Sequence, residues 1–469
     1  MNIEQKIHKV GGITALLTFI LSFVLFFING TKTGDLLVVA ILLSIISFFY
    51  LFFGQQDFLK KNYFLIVICG IAVLIGSIFI PHTTSSDLDY YLAHTINAVD
   101  YHIDPYQTSL KKATEMGIVN NYSEKVSGFG LVTNWTYGYP FLALTKLLYR
   151  ASNHNPITTM LLIKLINVVL LFGSAYIVTK INKLLENKLE TKMLFFFVAF
   201  NPILIFETVV NGHNDLIAVF PLLVAILFLS KKKLLLSALF LGLALSMKMS
   251  VIFWIPLIGI YLITIKTSIK NILLYIGITV IIMILPQIIF TNSLIPAGLS
   301  QYSGGFSGSL ASFIATFVRT IDVLLFDKKR TIEVINKLIS TQFRFIALVF
   351  KISWVVTFGT LLIKWFIHKK IYSIEQLLLY GTIVYTLYCM IFSPQLWPWY
   401  IIWFIPGIPL LLVSKNKSLI RFIIVIYLCL EIILSGPITG IGFNFARIGI
   451  IGYGLFNIFR ILKQKRKGV

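Results

Sequence analysis

The sequence predicts an all-α fold, a polytopic transmembrane helical bundle, and three observations carry that prediction. Of its 469 residues 58% are hydrophobic, only 12% are charged, and long apolar runs recur from one end of the chain to the other. The mean hydropathy of +0.89 is far beyond what a soluble core needs. An apolar run of about 18 residues or more is the length of helix that crosses a hydrocarbon layer of roughly 30 Å, and inside lipid a helix satisfies its own backbone. Lipid is therefore the expected solvent for most of the chain.

Taken in order, the runs predict spans over 11–29, 35–54, 63–81, 156–179, 191–209, 214–230, 234–248, 249–265, 272–291, 342–367, 373–391, 399–414, 418–435 and 447–462. The first has no small-residue cleavage site and is followed at once by a second, which argues for a span rather than a cleaved signal. The pair 234–248 and 249–265 is short and has no loop between its members, the pattern of a broken or re-entrant hairpin, so the expected count is about 12–14 spans. Basic residues cluster in short connections, at Lys60 and Lys61, Lys180 and Lys183, Lys231 to Lys233, Lys266 and Lys270, Lys369 and Lys370, and Lys415 and Lys417, and in a tail with Lys463, Lys465, Arg466 and Lys467. Such clusters mark the cytoplasmic side. A multi-pass cell-membrane protein follows, with both termini cytoplasmic and two long polar segments, 82–155 and 292–341, on the extracytoplasmic side.

That topology divides the chain into an N-terminal transmembrane hairpin at 1–62, a module at 63–291 carrying outer loop 82–155, a second outer loop at 292–341, and a C-terminal transmembrane bundle at 342–469. The net charge of +22 is spent on the membrane, and no soluble module offers a face for nucleic acid, so membrane lipids and not nucleic acid are the expected surroundings. Cys69, Cys389 and Cys429 fall inside apolar runs without metal or redox spacing, and no glycine-rich phosphate loop or paired-histidine zinc helix is present. A divalent cation near Asp87 or Asp215 would be chemically reasonable, yet no ligand set demands one.

Function is expected on the outer side, where the polar residues gather. Ser86-Asp87-Leu88-Asp89-Tyr90-Tyr91 opens the first loop, and Leu88, Tyr91, Leu92 and Thr95 share a helical face, which predicts an amphipathic interfacial helix beginning at Asp87. A carboxylate there serves either as a helix cap or as a general base beside the lipid surface. Asp89 points away from Asp87 on such a helix, so the two make no tight acid–base pair. Glu207, Asn211, His213, Asn214 and Asp215 crowd a turn between two spans, where polar groups are costly unless they face a cavity or a partner. Lys164 and Lys248 are lone cations in apolar segments, suited either to snorkelling or to holding a phosphate. Trp397, Trp399 and Tyr400, interleaved with two prolines, make either an interfacial aromatic belt or a stiff wall for a sugar or isoprenoid.

The ordered set of Ser86-Asp87-Leu88-Asp89-Tyr90-Tyr91, Asp104-Pro105-Tyr106, Tyr137-Gly138-Tyr139-Pro140, Asn201-Pro202, Asn211-Gly212-His213-Asn214-Asp215 and Lys248 resembles the GT-C membrane glycosyltransferases. Its order and spacing are most similar to the alpha-1,6-mannosyltransferase branch that uses polyprenyl-phosphate-mannose, and Trp397-Pro398-Trp399-Tyr400 resembles a late aromatic segment of such enzymes. The resemblance implies a GT-C-like fold and an inverting transfer of a mannose-like hexose from a polyprenyl-monophosphate sugar to a glycan or lipid-linked acceptor on the extracytoplasmic face. It implies Asp87 as catalytic base. It also implies a donor and substrate site of Asp89, Tyr91, Tyr106, Tyr137, Lys164, Asn211, His213, Asn214, Asp215, Lys248, Trp397, Trp399 and Tyr400. Two departures, Tyr139 inserted before Pro140 and Asn211-Gly212 in place of a glycine pair, bear on the identity of the sugar and acceptor. The rival readings are a flippase or transporter of lipid-linked sugars or another envelope precursor, disfavoured by the lack of internal symmetry, and a non-catalytic subunit of an assembly complex.

Overall fold

A computed structural model describes residues 3–29, 43–44, 47–48, 50, 56–82, 85–126, 129–185, 191–291, 332–393 and 398–412. Most of the span expected over 35–54, the stretch 292–331, and the spans expected over 418–435 and 447–462 lie outside them. Every regular element among the described residues is helical, as the sequence predicts. In chain order they include α1 (Ile3–Asn29), α2 (Tyr63–Phe79), α3 (Asp87–Asp100), α4 (Tyr139–Ala151), α5 (Pro156–Leu184), α6 (Thr191–Ala199), α7 (Asp215–Ser230), α8 (Leu234–Met247), α9 (Trp254–Thr264), α10 (Ile269–Thr291), α11 (Ile332–Ile367) and α12 (Ile374–Leu387). A 3₁₀ helix, Pro398–Leu412, closes the described chain.

Contacts divide the chain into two compact units, one of Met1–Ile252 with Leu273–Leu299, the other of Phe253–Ile272 with Ser300–Val469. In the first, α5 packs against α6 and α7, α7 against α8, and α3 against α4. The placement follows composition. From Leu216 to Leu229 α7 is apolar on every side, and such a helix is stable only when surrounded, so it lies in the centre. Among the described residues four helical stretches are long and apolar enough to cross a membrane: Pro156–Leu184, Thr191–Val210, Ile269–Thr291 and Leu348–Ile367. Thr191–Val210 is 94% buried whereas Ile269–Thr291 is 22% buried, so the first is a core helix and the second presents its side chains outward, as a lipid-facing helix does.

In the second unit, α12 packs on the 3₁₀ helix and on α9. Trp254 fills the space left by Gly381, where a Cβ would stand 2.3 Å from the indole, and Tyr385 stacks on Trp403 at 5.6 Å. Helix α11 begins at Ile332, ten residues earlier than the apolar run suggests, because amphipathic sequence can extend a helix beyond its spanning part.

The short pair after residue 233 is broken where the sequence predicts. Helix α8 ends at Met247, Lys248 is extended (φ −151°, ψ 125°), and a 3₁₀ turn, Met249–Phe253, leads into α9. Helix α3 differs from expectation. Its pattern predicts one wet face, yet residues 88–99 are all buried, because Trp135, Tyr137, Leu110 and Val126 of the following loop and Phe141 of α4 cover it. An isolated helix shows only its own periodicity, and here a long aromatic loop supplies the second cover.

Candidate active site

The first turn of α3 delivers Asp87. Ser86 occupies the N-cap position but makes no side-chain cap bond, and Asp87 Oδ2 instead faces His213 Nδ1 at 3.1 Å and accepts from Tyr91 Oη at 3.3 Å. The carboxylate is thus directed into the protein, while its side chain keeps 26% exposure, enough for a substrate hydroxyl to reach it. Tyr91 sits one helical turn on, so i,i+4 spacing alone brings its phenol to Asp87. Tyr91 Oη also lies 3.5 Å from Tyr137 Oη.

His213 comes from the turn between α6 and α7, which is built in steps. Asn201 Oδ1 accepts from the amides of Ile203 and Leu204, and Pro202 starts the next helical turn where its missing N–H costs nothing. The helix then widens into a π turn, Ile205–Val210, and Gly212 adopts φ +70°. A Cβ at Gly212 would lie 2.6 Å from the Leu88 side chain, so glycine is required there by conformation and by packing. Asn167 on α5 pins the turn by donating to the carbonyls of Thr208 at 2.7 Å and His213 at 3.3 Å.

The buried His213 ring therefore stands between two carboxylates, with Nδ1 toward Asp87 and Nε2 3.3 Å from Glu207 Oε2. Carboxylates only accept, so a ring set between two of them, at hydrogen-bond distance on Nδ1 and at ion-pair distance on Nε2, favours the doubly protonated form. Burial pulls the His213 pKa down, but the bonds and charges of Asp87 and Glu207 outweigh it and raise the value to about 9. For Asp87, burial raises the pKa and is outweighed by the His213 bond and charge, the Lys248 charge and the Tyr91 hydroxyl, which hold it below the usual carboxylate value. Burial and then the Asp87 charge raise the Tyr91 phenol, which keeps its proton and remains a donor.

Lys248 caps the broken end of α8. Its Nζ donates to Asp215 Oδ1 at 2.8 Å and to Asn214 Oδ1 at 3.3 Å, and lies 5.3 Å from the Tyr137 ring centroid, a cation–π distance. Gly138 fixes this meeting. Its amide donates to the Met247 carbonyl at 3.1 Å, and a Cβ there would stand 1.5 Å from the Ser246 carbonyl oxygen. Tyr106 donates to the Tyr137 carbonyl at 3.0 Å and holds the same segment from the other side.

Of the residues singled out in the sequence, Asp87, Tyr91, Tyr137, His213, Asn214, Asp215 and Lys248 come together, with Tyr106 and Asn211 supporting them. Asn211 donates to Glu207 Oε2 at 3.3 Å. Asp89 and Lys164 do not join the cluster. Asp89 is buried and meets His82 Nε2 at 2.7 Å, and Lys164 Nζ donates to the Ile80 carbonyl at the end of α2, so each is engaged by the α2–α3 connection. Trp399 and Tyr400 belong to the second unit, with their rings 6.4 Å apart, and Trp397 lies outside the described residues. Glu207 is the residue that sequence reasoning left without a role in the site. Its only signal is a carboxylate in an otherwise apolar stretch six residues before the histidine.

Residues 32–264 match the family model for the alpha-(1->6)-mannopyranosyltransferase N-terminal domain, a stretch that contains every clustered residue described above. No curated protein and no solved structure matches the chain.

Proposed function

From the premise that the chain belongs, through residues 32–264, to the alpha-(1->6)-mannopyranosyltransferase family, we propose that it moves a mannose-like hexose from a polyprenyl-monophosphate carrier to a glycan or lipid-linked acceptor. The reaction takes place at the extracytoplasmic face of a multi-pass membrane bundle. The observation that carries this reading is the Asp87 carboxylate, partly open to substrate and held by the His213 ring and the Tyr91 phenol, with its pKa lowered in part by the charge of Lys248.

In the proposed reaction the acceptor hydroxyl lies against Asp87, which takes its proton as the oxygen attacks the anomeric carbon. Attack comes from the face opposite the carrier phosphate, the bond from the anomeric carbon to the phosphate oxygen breaks, and the sugar leaves with inverted configuration. The departing lipid phosphate carries the developing charge, and Lys248 supplies fixed positive charge for it. Asp215 and Asn214 hold the ammonium in place before the donor arrives, so little reorganisation is needed during reaction. The outward apolar side chains of α10, among them Leu273, Ile281 and Ile289, suit the isoprenoid of a carrier that never leaves the bilayer.

The purified protein in nanodiscs, given a panel of undecaprenyl-phosphate sugars and an oligomannoside acceptor, tests this. Release of undecaprenyl monophosphate with the mannose donor, and an anomeric configuration in the product opposite to that of the donor, are expected. Transfer from a nucleotide sugar or a lipid diphosphate instead, or retention of configuration, would contradict the reading.

A further inference from the structure

Asp87 is not held by His213 alone, because the histidine is itself held. Glu207 is buried in the π turn, its Oε2 stands 3.3 Å from His213 Nε2, and the His213 amide donates to the Glu207 carbonyl at 3.1 Å. A π turn inserts one residue into a helix, and such insertions recur at functional positions. Here it carries the glutamate beneath the ring instead of onto the packed surface of the helix. Asn211 donates to the same Oε2 at 3.3 Å and fixes the orientation of the carboxylate.

We propose that Glu207 is a positioning residue for sugar transfer: it keeps His213 doubly protonated, so that the Nδ1–H of His213 always points at Asp87 and holds the base ionised and oriented. This rests on the reading of Asp87 as the base. A neutral histidine bonded at Nδ1–H alone would be free to flip and present an acceptor nitrogen to the carboxylate, which would then turn away or bind a proton itself. A buried carboxylate at Nε2 removes that alternative, and the Asp87 carboxylate is left with one oxygen engaged by His213 and Tyr91 and the other for the acceptor hydroxyl.

The other charged and titratable groups facing this pair are few. Tyr91 and Tyr137 offer phenols, Lys248 is paired with Asp215 at 2.8 Å and still lends its charge to Asp87, and α5 faces the turn with the neutral Asn167 while Lys164 on the same helix is turned to Ile80. No other cation among the described residues is in ion-pair contact with Asp87 or Glu207.

The experiment is the pH profile of transfer by the full chain in nanodiscs, paired with ¹⁵N NMR of ring-labelled histidine, in which the His213 signal is identified by its loss in His213→Gln. Removing an opposite charge at this distance moves a titration by about one to three pH units. In Glu207→Gln the His213 titration and the alkaline limb of kcat are both expected to move down from about 9 by that amount, with donor KM changed less than kcat. At pH 8.5 turnover of Glu207→Gln should fall relative to pH 6 by about fourfold for a move of one pH unit and by about a hundredfold or more for three, and Glu207→Asp should restore much of the shift. A neutral His213 in the wild-type protein at pH 8 would overturn the proposal, and that measurement does not depend on Glu207→Gln folding. So would a Glu207→Gln protein whose histidine titration moves while kcat keeps its profile. An active Asp87→Asn protein would instead overturn the base assignment, whereas an inactive one beside an unmoved Glu207→Gln profile would sink only the role of Glu207.

Discussion

Lys248 has two conceivable uses, partner of a buried carboxylate and holder of a phosphate, and a two-residue cycle separates them. The Asp215 side chain is 1% exposed and the Lys248 side chain 11%, so Lys248→Met strands a carboxylate away from water. Removing one member of a buried pair costs about 3–5 kcal/mol, chiefly because the remaining charge is uncompensated. Asn214 keeps its place beside the site but offers Lys248 only an acceptor oxygen and gives Asp215 no positive charge, so the lower end of that range, about 3 kcal/mol, is the minimum expected. In a thermal scan by tryptophan fluorescence this corresponds to a fall of about 3–5 °C for a chain of 469 residues. Adding Asp215→Asn to Lys248→Met removes the stranded charge and should return most of the lost stability. Transfer should not return, because the carrier phosphate still lacks its cation, a loss of about 10²-fold or more. A double variant that regained turnover along with stability would refute the phosphate role and leave Lys248 as a structural partner only.

Other perturbations have equally definite outcomes. Gly138→Ala places a Cβ 1.5 Å from a backbone oxygen that no rotamer change relieves, so Tyr137 and Lys248 must separate. Turnover should drop about 10²-fold, as for a displacement of roughly 1 Å in a site, with the Asp87–His213 coupling intact by NMR. Stability should also follow pH. The raised His213 pKa contributes stability fully present below 6.5 and lost as pH rises through about 9, and the lowered Asp87 pKa contributes stability present above 3.8 and lost as pH falls through its folded value. Unfolding midpoints in nanodiscs should therefore be highest between about pH 4 and 6.5, and a midpoint that climbs from pH 7 to 9 would contradict the buried imidazolium.

The parts of this fold that were legible in advance are those encoded locally. Apolar runs report helices long enough for lipid, and the broken end of α8 at Lys248 is visible because a cation interrupts two short runs with no loop between them. The grouping of Asp87, His213, Asn214, Asp215 and Lys248 was legible because such residues are costly in lipid and so must meet one another or a cavity. What was hidden depends on long-range contact or on backbone irregularity. Lys164 looks like a phosphate ligand until its ammonium is seen at the Ile80 carbonyl, a contact across 84 positions of sequence. Asp89 looks like a second site carboxylate until His82 takes it. Glu207 looks like a turn residue because helical periodicity assumes 3.6 residues per turn, and the π insertion that places it under His213 leaves no mark in composition.

The most direct test of the central claim is single-turnover transfer by Asp87→Asn in nanodiscs, with donor binding measured on the same preparation. Asparagine preserves shape and removes only the capacity to accept a proton, so donor affinity should stay within a few-fold of wild type while the chemical step slows by about 10²–10⁴-fold. A chemical step at the wild-type rate would mean that some other group takes the proton, and the site built around Asp87 would have a different purpose.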